Sequence, residues 1–213
     1  MHVVWDWNGT LLDDLHVVLA AVNEGVSEHR DAPVSLEDYR DSYTRPVKRF
    51  YDSLFGYEVS ESVWREIDRR FHDAYRQMIG SVRLAGDAIA ALDLVVSHRA
   101  SQSLLSMYPH AELVPVVRSH GIEDRFTRVD GLRGEPGDRK SAYLAAHLGA
   151  LGLAPDETVV IGDTPDDADA ARSVGSACVL YDGGSHHRRE LEATGAPIAG
   201  SLVQAAMVAL DVV

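Results

Sequence analysis

The chain of 213 residues is long enough to bury a substantial core, and its length favours one domain or a core with one sizeable insertion. Hydrophobic residues make up 46% of the sequence and charged residues 25%, which is ordinary for a globular protein. The formal net charge of −13 excludes nucleic acid and membrane surfaces as expected partners, because an acidic surface repels phosphodiester backbones and anionic lipid. A monomer and a homodimer both remain open.

A single cysteine, Cys178, excludes an intrachain disulfide and any zinc site built from cysteines. The N-terminus lacks the basic region, apolar stretch and cleavage site of a secretory signal. No apolar run approaches the roughly 20 residues that a membrane-spanning helix needs. These features predict a cytoplasmic protein.

The predicted elements begin with a strand over residues 2–7, followed by a region of helical signals from residue 15 to residue 82. Four helices are predicted within that region. The first covers residues 15–22, from its apolar spacing, and the second covers 36–39, after an N-cap at Ser35. The third covers 45–55, with a proline near its start, and the fourth begins at Ser60 or Ser62 and carries a long apolar stripe. No strand signal interrupts this region. We therefore predict an all-helical segment inserted after the first strand.

Strands and helices alternate after this region. The predicted strands cover residues 103–107, 126–129, 158–161 and 177–180, and the predicted helices cover 86–100, 113–117, 141–148, 166–174, 189–191 and 202–210. This alternation predicts an α/β fold with a parallel sheet covered by helices on both faces. Ligands of such sheets bind at the carboxyl ends of the strands.

Two groups of carboxylates follow predicted strands. Asp6 ends the first strand and precedes the turn Gly9-Thr10, whose backbone N–H groups can face an anion. Asp163, Asp166 and Asp167 follow the strand at 158–161, and carboxylates crowded in this way repel one another unless a cation lies between them. Hard oxygen ligands suit Mg²⁺. A helix N-terminus also favours acidic residues, but this does not account for Asp163, which precedes the helix.

Two further polar residues occupy comparable positions. Lys140 begins a predicted helix, where its charge is unfavourable to the helix dipole unless an anion compensates, although a solvated surface lysine is an alternative. Ser106 lies near the end of the strand at 103–107, where its hydroxyl can bond a phosphate oxygen. Ser97 also follows an apolar run and remains a second candidate.

In chain order these residues give Asp-x-x-Gly-Thr, then Ser, then Lys, then Gly-Asp-x-x-x-Asp. The combination resembles the haloacid dehalogenase-like hydrolase superfamily, and within it the phosphoglycolate phosphatase-like group. The resemblance implies a Rossmann-like core over residues 1–14 and 83–213, with a helical cap over 15–82. It also implies a Mg²⁺-dependent phosphatase that acts on a small phosphorylated metabolite.

The resemblance implies a role for each site residue. Asp6 is expected to accept the phosphoryl group as an aspartyl-phosphate. The carboxylates of Asp6 and Asp163 and the backbone carbonyl of Asn8 are expected to hold Mg²⁺, with support from Asp167. Substrate is expected to meet the backbone of the turn Gly9-Thr10 and the side chains of Ser106 and Lys140.

Asn8 departs from the family pattern, in which this position usually carries a second aspartate that moves protons. An amide does not titrate and can neither protonate a leaving group nor activate water. Either another group supplies the proton, or the leaving group needs none, or the chain is a phosphate-binding protein without useful turnover. The candidate replacement groups are Asp13, Asp14, His16, His186 and His187.

The inserted region collects three cations in an otherwise acidic chain, at Arg45, Lys48 and Arg49. If they face the site, Arg45 and Arg49 predict a substrate with a second anionic group. A solvated helix face is the alternative. The adjacent pair His186-His187 does not by itself predict a second metal.

Overall fold

The computed structural model describes residues 1–44, 46–133 and 139–212. Its contacts divide the chain into two compact units. The first unit joins Met1–Asp13 to Arg83–Val213, and the second covers Asp14–Val82. Asp14 therefore begins the second unit, one residue before the boundary that the sequence suggests.

One parallel sheet forms the centre of the first unit, with strand order β3-β2-β1-β4-β5-β6. The strands are β1 (His2–Trp5), β2 (Ser101–Pro109), β3 (Val129–Leu132), β4 (Thr158–Gly162), β5 (Ala177–Tyr181) and β6 (Ile198–Ala199). The predicted parallel sheet is thus confirmed. Because β1 lies between β2 and β4, the residues that follow these three strands meet at one edge.

Ten α-helices occur in the described part of the chain. The second unit contains α1 (Leu15–Val26), α2 (Leu36–Ser42), α3 (Val47–Phe55) and α4 (Glu61–Met78), and the first contains α5 (Ala88–Ser97), α6 (His110–Ser119), α7 (Lys140–Leu151), α8 (Pro165–Val174), α9 (Arg188–Ala193) and α10 (Leu202–Val212). None of the helices within the described ranges has the length and apolar character needed to cross a membrane.

Helices cover the sheet because its strands are apolar on both faces. Val4 and Val160 belong to a buried cluster with Leu144 of α7 and Ala170 of α8. On the other face α5 packs against α10 and β2, while α10 also contacts β4 and β5. Every residue of β1 and β4 is buried, as expected for central parallel strands.

The second unit has an apolar core of its own. Its buried members include Val22 and Val26 of α1, Phe50 of α3 and Ile67 of α4. The structure also decides how α4 begins, because the Ser60 hydroxyl accepts the Val63 N–H and forms the N-cap. Ser62 lies inside the helix.

Two predicted strands need new boundaries, and one observed strand was not predicted. The first strand ends at Trp5 rather than residue 7, because the Trp7 carbonyl accepts the N–H groups of Thr10 and Leu12 and turns the chain. The strand expected at 126–129 is observed at Val129–Leu132, after a 3-10 helix over Glu123–Arg125. The strand β6 was missed because two residues carry no periodicity.

Candidate active site

The carboxyl edge of the sheet gathers four charged side chains. Asp6 follows β1, and its N–H donates to the Ile161 carbonyl of β4 at 2.8 Å, so the backbone stays tied to the sheet. Asp163 follows β4 directly, and Asp167 lies in the first turn of α8. Lys140 is the first residue of α7. The sheet order therefore brings together residues that are far apart in the sequence.

Lys140 joins two of these carboxylates. Its Nζ lies 2.5 Å from Oδ1 of Asp6 and also contacts Oδ1 of Asp167. The four charged residues are at most 7% exposed. Ligand oxygens of Asp6, Asp163 and Asp167 all lie within 4.8 Å of one another, a spacing at which three carboxylates can share a cation.

The pKa values reflect three buried acids beside one ammonium group. Burial raises the pKa of Asp6 to about 8; the Lys140 charge opposes this, and the charges of Asp167 and Asp163 add to it. Burial, together with the Asp167 charge, raises the pKa of Asp163 to about 6. Burial alone lowers the pKa of Lys140, but Asp167 and Asp6 outweigh it and raise that pKa above its ordinary value. One lysine does not balance the three acids.

Asp163 is held through both of its oxygens. Ser185, in the loop after β5, donates its backbone N–H at 2.8 Å and its hydroxyl at 2.7 Å to Oδ2. The Thr10 hydroxyl donates to Oδ1 at 3.1 Å. Thr10 therefore holds a carboxylate with its hydroxyl. Its backbone N–H, which the sequence suggested for an anion, donates to the Trp7 carbonyl at 3.2 Å.

Asp167 is engaged on both sides as well. Its Oδ2 accepts the Thr164 N–H at 3.0 Å and the Thr164 hydroxyl at 2.7 Å, which completes a capping box at the start of α8. Its Oδ1 contacts Lys140. Lys140 and Thr164 outweigh the effect of burial, so the pKa of Asp167 is lowered.

Two glycines allow the backbone to approach Asp163 closely. Gly9 has φ of +71°, and a Cβ placed there falls 2.5 Å from Oδ2 of Asp163. A Cβ at Gly184 also overlaps this carboxylate. A side chain at either position would displace Asp163 or the loop, so the two glycines allow the carboxylate to keep its place.

Asn8 and Ser106 lie together beside this cluster. The Ser106 hydroxyl, buried in β2, donates to Oδ1 of Asn8 at 3.4 Å and accepts the Tyr108 N–H at 3.0 Å. Ser97 instead lies exposed in the last turn of α5, where its hydroxyl donates to the Leu94 carbonyl. The serine near Asn8 is thus Ser106.

The other candidates lie elsewhere. Arg45 lies outside the described residues, as do residues 134–138 of the loop before Lys140. Arg49 is exposed on α3 of the second unit. The proposed proton sources differ in burial. Asp13 and His16 are exposed, and His187 is half-buried. Asp14 is buried and accepts the Tyr75 hydroxyl at 2.7 Å, and His186 is buried with its Nδ1 3.2 Å from the Ser185 hydroxyl.

Sequence analysis did not single out Ser185. The signal that identifies it is its place in a Gly-Gly-Ser loop directly after β5, the neighbour of β4, because loops after adjacent parallel strands meet at the same edge.

A family model described as haloacid dehalogenase-like hydrolase matches residues 1–175. The chain belongs to this family. Two curated phosphoglycolate phosphatases are similar to this hydrolase along most of both chains. The one from Synechococcus elongatus is 24% identical, covering 90% of this chain and 88% of the relative, and the one from Chromobacterium violaceum is 25% identical, covering 83% and 82%.

Solved structures of haloacid dehalogenase-like hydrolases share the fold. One from Streptococcus pneumoniae superposes with a TM-score of 0.84 at 18% identity, covering 97% of each chain. One from Entamoeba histolytica has a TM-score of 0.76 at 16% identity, covering 99% of each chain. At these sequence identities the structural similarity shows only that the fold is shared.

Proposed function

We propose that this hydrolase is a Mg²⁺-dependent phosphatase of a small phosphorylated metabolite, with the Asp6 carboxylate as phosphoryl acceptor. The observation that carries the proposal is the buried contact of Lys140 with both Asp6 and Asp167, beside a third carboxylate at Asp163. Phosphoryl transfer requires positioning and charge neutralisation more than elaborate chemistry, and this cluster supplies both.

The proposed reaction proceeds in two steps on Asp6. Its carboxylate attacks phosphorus, the bond to the leaving oxygen breaks, and Asp6 carries the phosphoryl group. Water then attacks phosphorus, releases inorganic phosphate and restores the carboxylate. The Asp6 N–H bond to β4 fixes the backbone of the acceptor through both steps.

The donor set fits Mg²⁺, because three buried carboxylates beside one ammonium group retain excess negative charge. Asp6, Asp163 and the backbone carbonyl of Asn8 would hold the ion. Asp167 would support it through water, while its own oxygens bond Thr164 and Lys140. When bound, Mg²⁺ supplies neutralising charge to the phosphoryl oxygens.

Lys140 and Ser106 would grip the phosphoryl oxygens. The ammonium group already lies against the acceptor carboxylate, so it can offset the negative charge that two anions bring together. The Ser106 hydroxyl is a donor at the same edge of the sheet. The Gly9 N–H donates to the Leu12 carbonyl at 3.1 Å, so it is not offered to the substrate.

Asn8 leaves the proton transfers without their usual group. Its amide cannot act as acid or base, a role typically worth about 10²- to 10⁴-fold in rate. This favours a slow or specialised phosphatase. It also favours the second candidate, a phosphate-binding protein without useful turnover.

The substrate of the proposed phosphatase is small and phosphorylated. The curated relatives are phosphoglycolate phosphatases, so 2-phosphoglycolate is the first compound to test.

A panel of phosphate compounds, assayed with Mg²⁺ against native protein, Asp6→Asn and Asn8→Asp, tests the proposal. We expect phosphate release from native protein that Asp6→Asn abolishes and Asn8→Asp increases. Release that survives in Asp6→Asn would contradict the assigned acceptor. Calorimetric phosphate binding without release, together with release by Asn8→Asp, would establish the binding-protein candidate instead.

A further inference from the structure

Asn8 stands where the family pattern usually carries the aspartate that protonates the leaving group. Its Oδ1 accepts the Ser106 hydroxyl, so the side chain is turned toward β2 with its acceptor atom already used. An amide nitrogen donates hydrogen bonds but does not release a proton in the physiological range. Asn8 can orient an oxygen without protonating it.

The remaining carboxylates of the first unit's site are committed to other tasks. Asp163 accepts bonds from Ser185 and Thr10 through both oxygens. Asp167 divides its oxygens between Thr164 and Lys140. Asp6 is the proposed acceptor itself. The described acids of this cluster therefore provide no substitute for the missing acid at residue 8. Of the candidate histidines, buried His186 has its Nδ1 3.2 Å from the Ser185 hydroxyl, which itself bonds Asp163.

The cost of lacking an acid depends on the leaving group. An alkoxide is a strong base, and its departure without a proton is slow. A carboxylate leaves easily, since its conjugate acid has a pKa of about 4. The phosphate of an anhydride likewise departs as a stable anion. Such substrates therefore lose little in the step that transfers the phosphoryl group to Asp6, while the later attack of water still proceeds without a base at residue 8.

Resting on the proposed function, we infer that the substrate class is an activated phosphoryl donor, an acyl phosphate or a phosphoanhydride, rather than an alkyl phosphate ester. The Asp6 oxygen forms a bond to phosphorus as the bond to the leaving oxygen breaks. The leaving group departs as an anion with its electron pair, and no proton is transferred. Water then hydrolyses the aspartyl-phosphate to phosphate and the free carboxylate.

The comparison of three donors in one assay tests this inference. Acetyl phosphate is the acyl donor, pyrophosphate the anhydride and 2-phosphoglycolate the alkyl ester. The quantity compared is kcat/KM, because it covers the steps through departure of the leaving group and is independent of the later hydrolysis that all three donors share. Asp6→Asn is the inactive control.

We expect native kcat/KM for acetyl phosphate or pyrophosphate to exceed that for 2-phosphoglycolate by about 10²- to 10⁴-fold, the usual contribution of a general acid. In Asn8→Asp that ratio should narrow at least about tenfold, because the new acid assists only the alkoxide. The higher kcat/KM of the two activated donors shows whether the enzyme prefers an acyl phosphate or a phosphoanhydride.

Comparable native kcat/KM for 2-phosphoglycolate and for the activated donors would overturn the substrate class and leave the phosphatase proposal standing. An unchanged ratio in Asn8→Asp would also overturn it. A series of aryl phosphates on native protein alone provides a measurement that does not depend on the variant: a weak dependence on phenol acidity contradicts the inference. Absence of Asp6-dependent release from every donor, in native protein and in Asn8→Asp, would refute the phosphatase proposal itself.

Discussion

Ser185 holds one oxygen of Asp163 with two donors, while Thr10 holds the other with one. The carboxylate therefore has a fixed orientation before any cation arrives. Removal of a group that hydrogen-bonds a metal ligand commonly weakens metal affinity by about 10- to 100-fold.

Ser185→Ala should accordingly weaken Mg²⁺ binding by about 10- to 100-fold, as measured by calorimetry. Ser185→Thr keeps the hydroxyl and should restore most of the affinity. Ser173→Ala, which removes a hydroxyl bonded only to the Asp169 carbonyl of α8, is the matched control. Equal affinities of Ser185→Ala and native protein would show that the hydroxyl does not orient Asp163.

At the residue scale, sequence analysis selected Asp6, Lys140, Asp163 and Asp167 because each follows a strand or begins a helix in a recognisable order. Both Ser97 and Ser106 end apolar runs, and Ser106 is the preferred candidate because it leaves a full helix ahead of the strand. The structure ends α5 at Ser97 and places the Ser106 hydroxyl against Asn8. The loop position of Ser185 after β5 places it at the right edge of the sheet, but no local pattern shows that its hydroxyl bonds the Asp163 carboxylate.

At the element scale, the N-cap of α4 shows what a sequence leaves open. Ser60 and Ser62 both precede the apolar stripe, so either could begin the helix. Hydrogen bonding decides in favour of Ser60, whose hydroxyl accepts the Val63 N–H. The start of α4 depends on one side-chain hydrogen bond, and apolar periodicity does not resolve that bond.

Ser60→Ala should lower the free energy of unfolding by about 0.5–2 kcal/mol, because an orphan N–H at the helix start loses its acceptor. Ser62→Ala should change it by less than about 0.5 kcal/mol, since exposed helix positions tolerate alanine. Urea unfolding of the full chain measures both. A larger effect from Ser62→Ala would contradict the assigned cap.

A buried polar network joins β1, β2 and α7 below the site. His2 Nε2 and His147 Nε2 each lie 2.7 Å from the Ser103 hydroxyl, and His147 Nδ1 lies 2.7 Å from Asp130. Burial, with added repulsion from His147 and the N-terminal amine, lowers the pKa of His2 to about 4. His2 is therefore neutral in the folded protein at neutral pH.

This network should make the fold sensitive to acid. Unfolded His2 binds a proton near pH 6.5, whereas folded His2 binds one near pH 4, so stability falls as pH drops through that window. The loss attributable to His2 should approach about 3 kcal/mol. Urea unfolding at pH 7 and pH 4.5 should show a smaller decline for His2→Gln; equal declines would contradict the role of His2.

At the scale of the whole molecule, the alternation of strands and helices was sufficient to predict a parallel sheet covered on both faces. The order of its strands was not predictable from local pattern, yet that order places Asp6 between Ser106 and Asp163. The edge strand β6 was likewise not predictable from local pattern, because it has only two residues. Long-range pairing carries information that short segments lack.

Binding of Mg²⁺ should stabilise the whole fold, because the ion is expected to bind the assembled carboxylates and not the unfolded chain. At a concentration of 100 Kd the gain is about 2.7 kcal/mol. Thermal unfolding should show a higher unfolding temperature with Mg²⁺ than without it for native protein, and no such rise for Asp163→Asn. Equal Mg²⁺ shifts in both proteins would place the ion elsewhere.

The proposed mechanism rests on Asp6 as the phosphoryl acceptor. Incubation of native protein with acetyl phosphate and Mg²⁺, followed by acid quenching and peptide mass mapping, shows which residue accepts the phosphoryl group. We expect one added phosphoryl group on the peptide that contains Asp6, and none in Asp6→Asn. A phosphoryl group on any other residue, or phosphate release that is unchanged in Asp6→Asn, would contradict it.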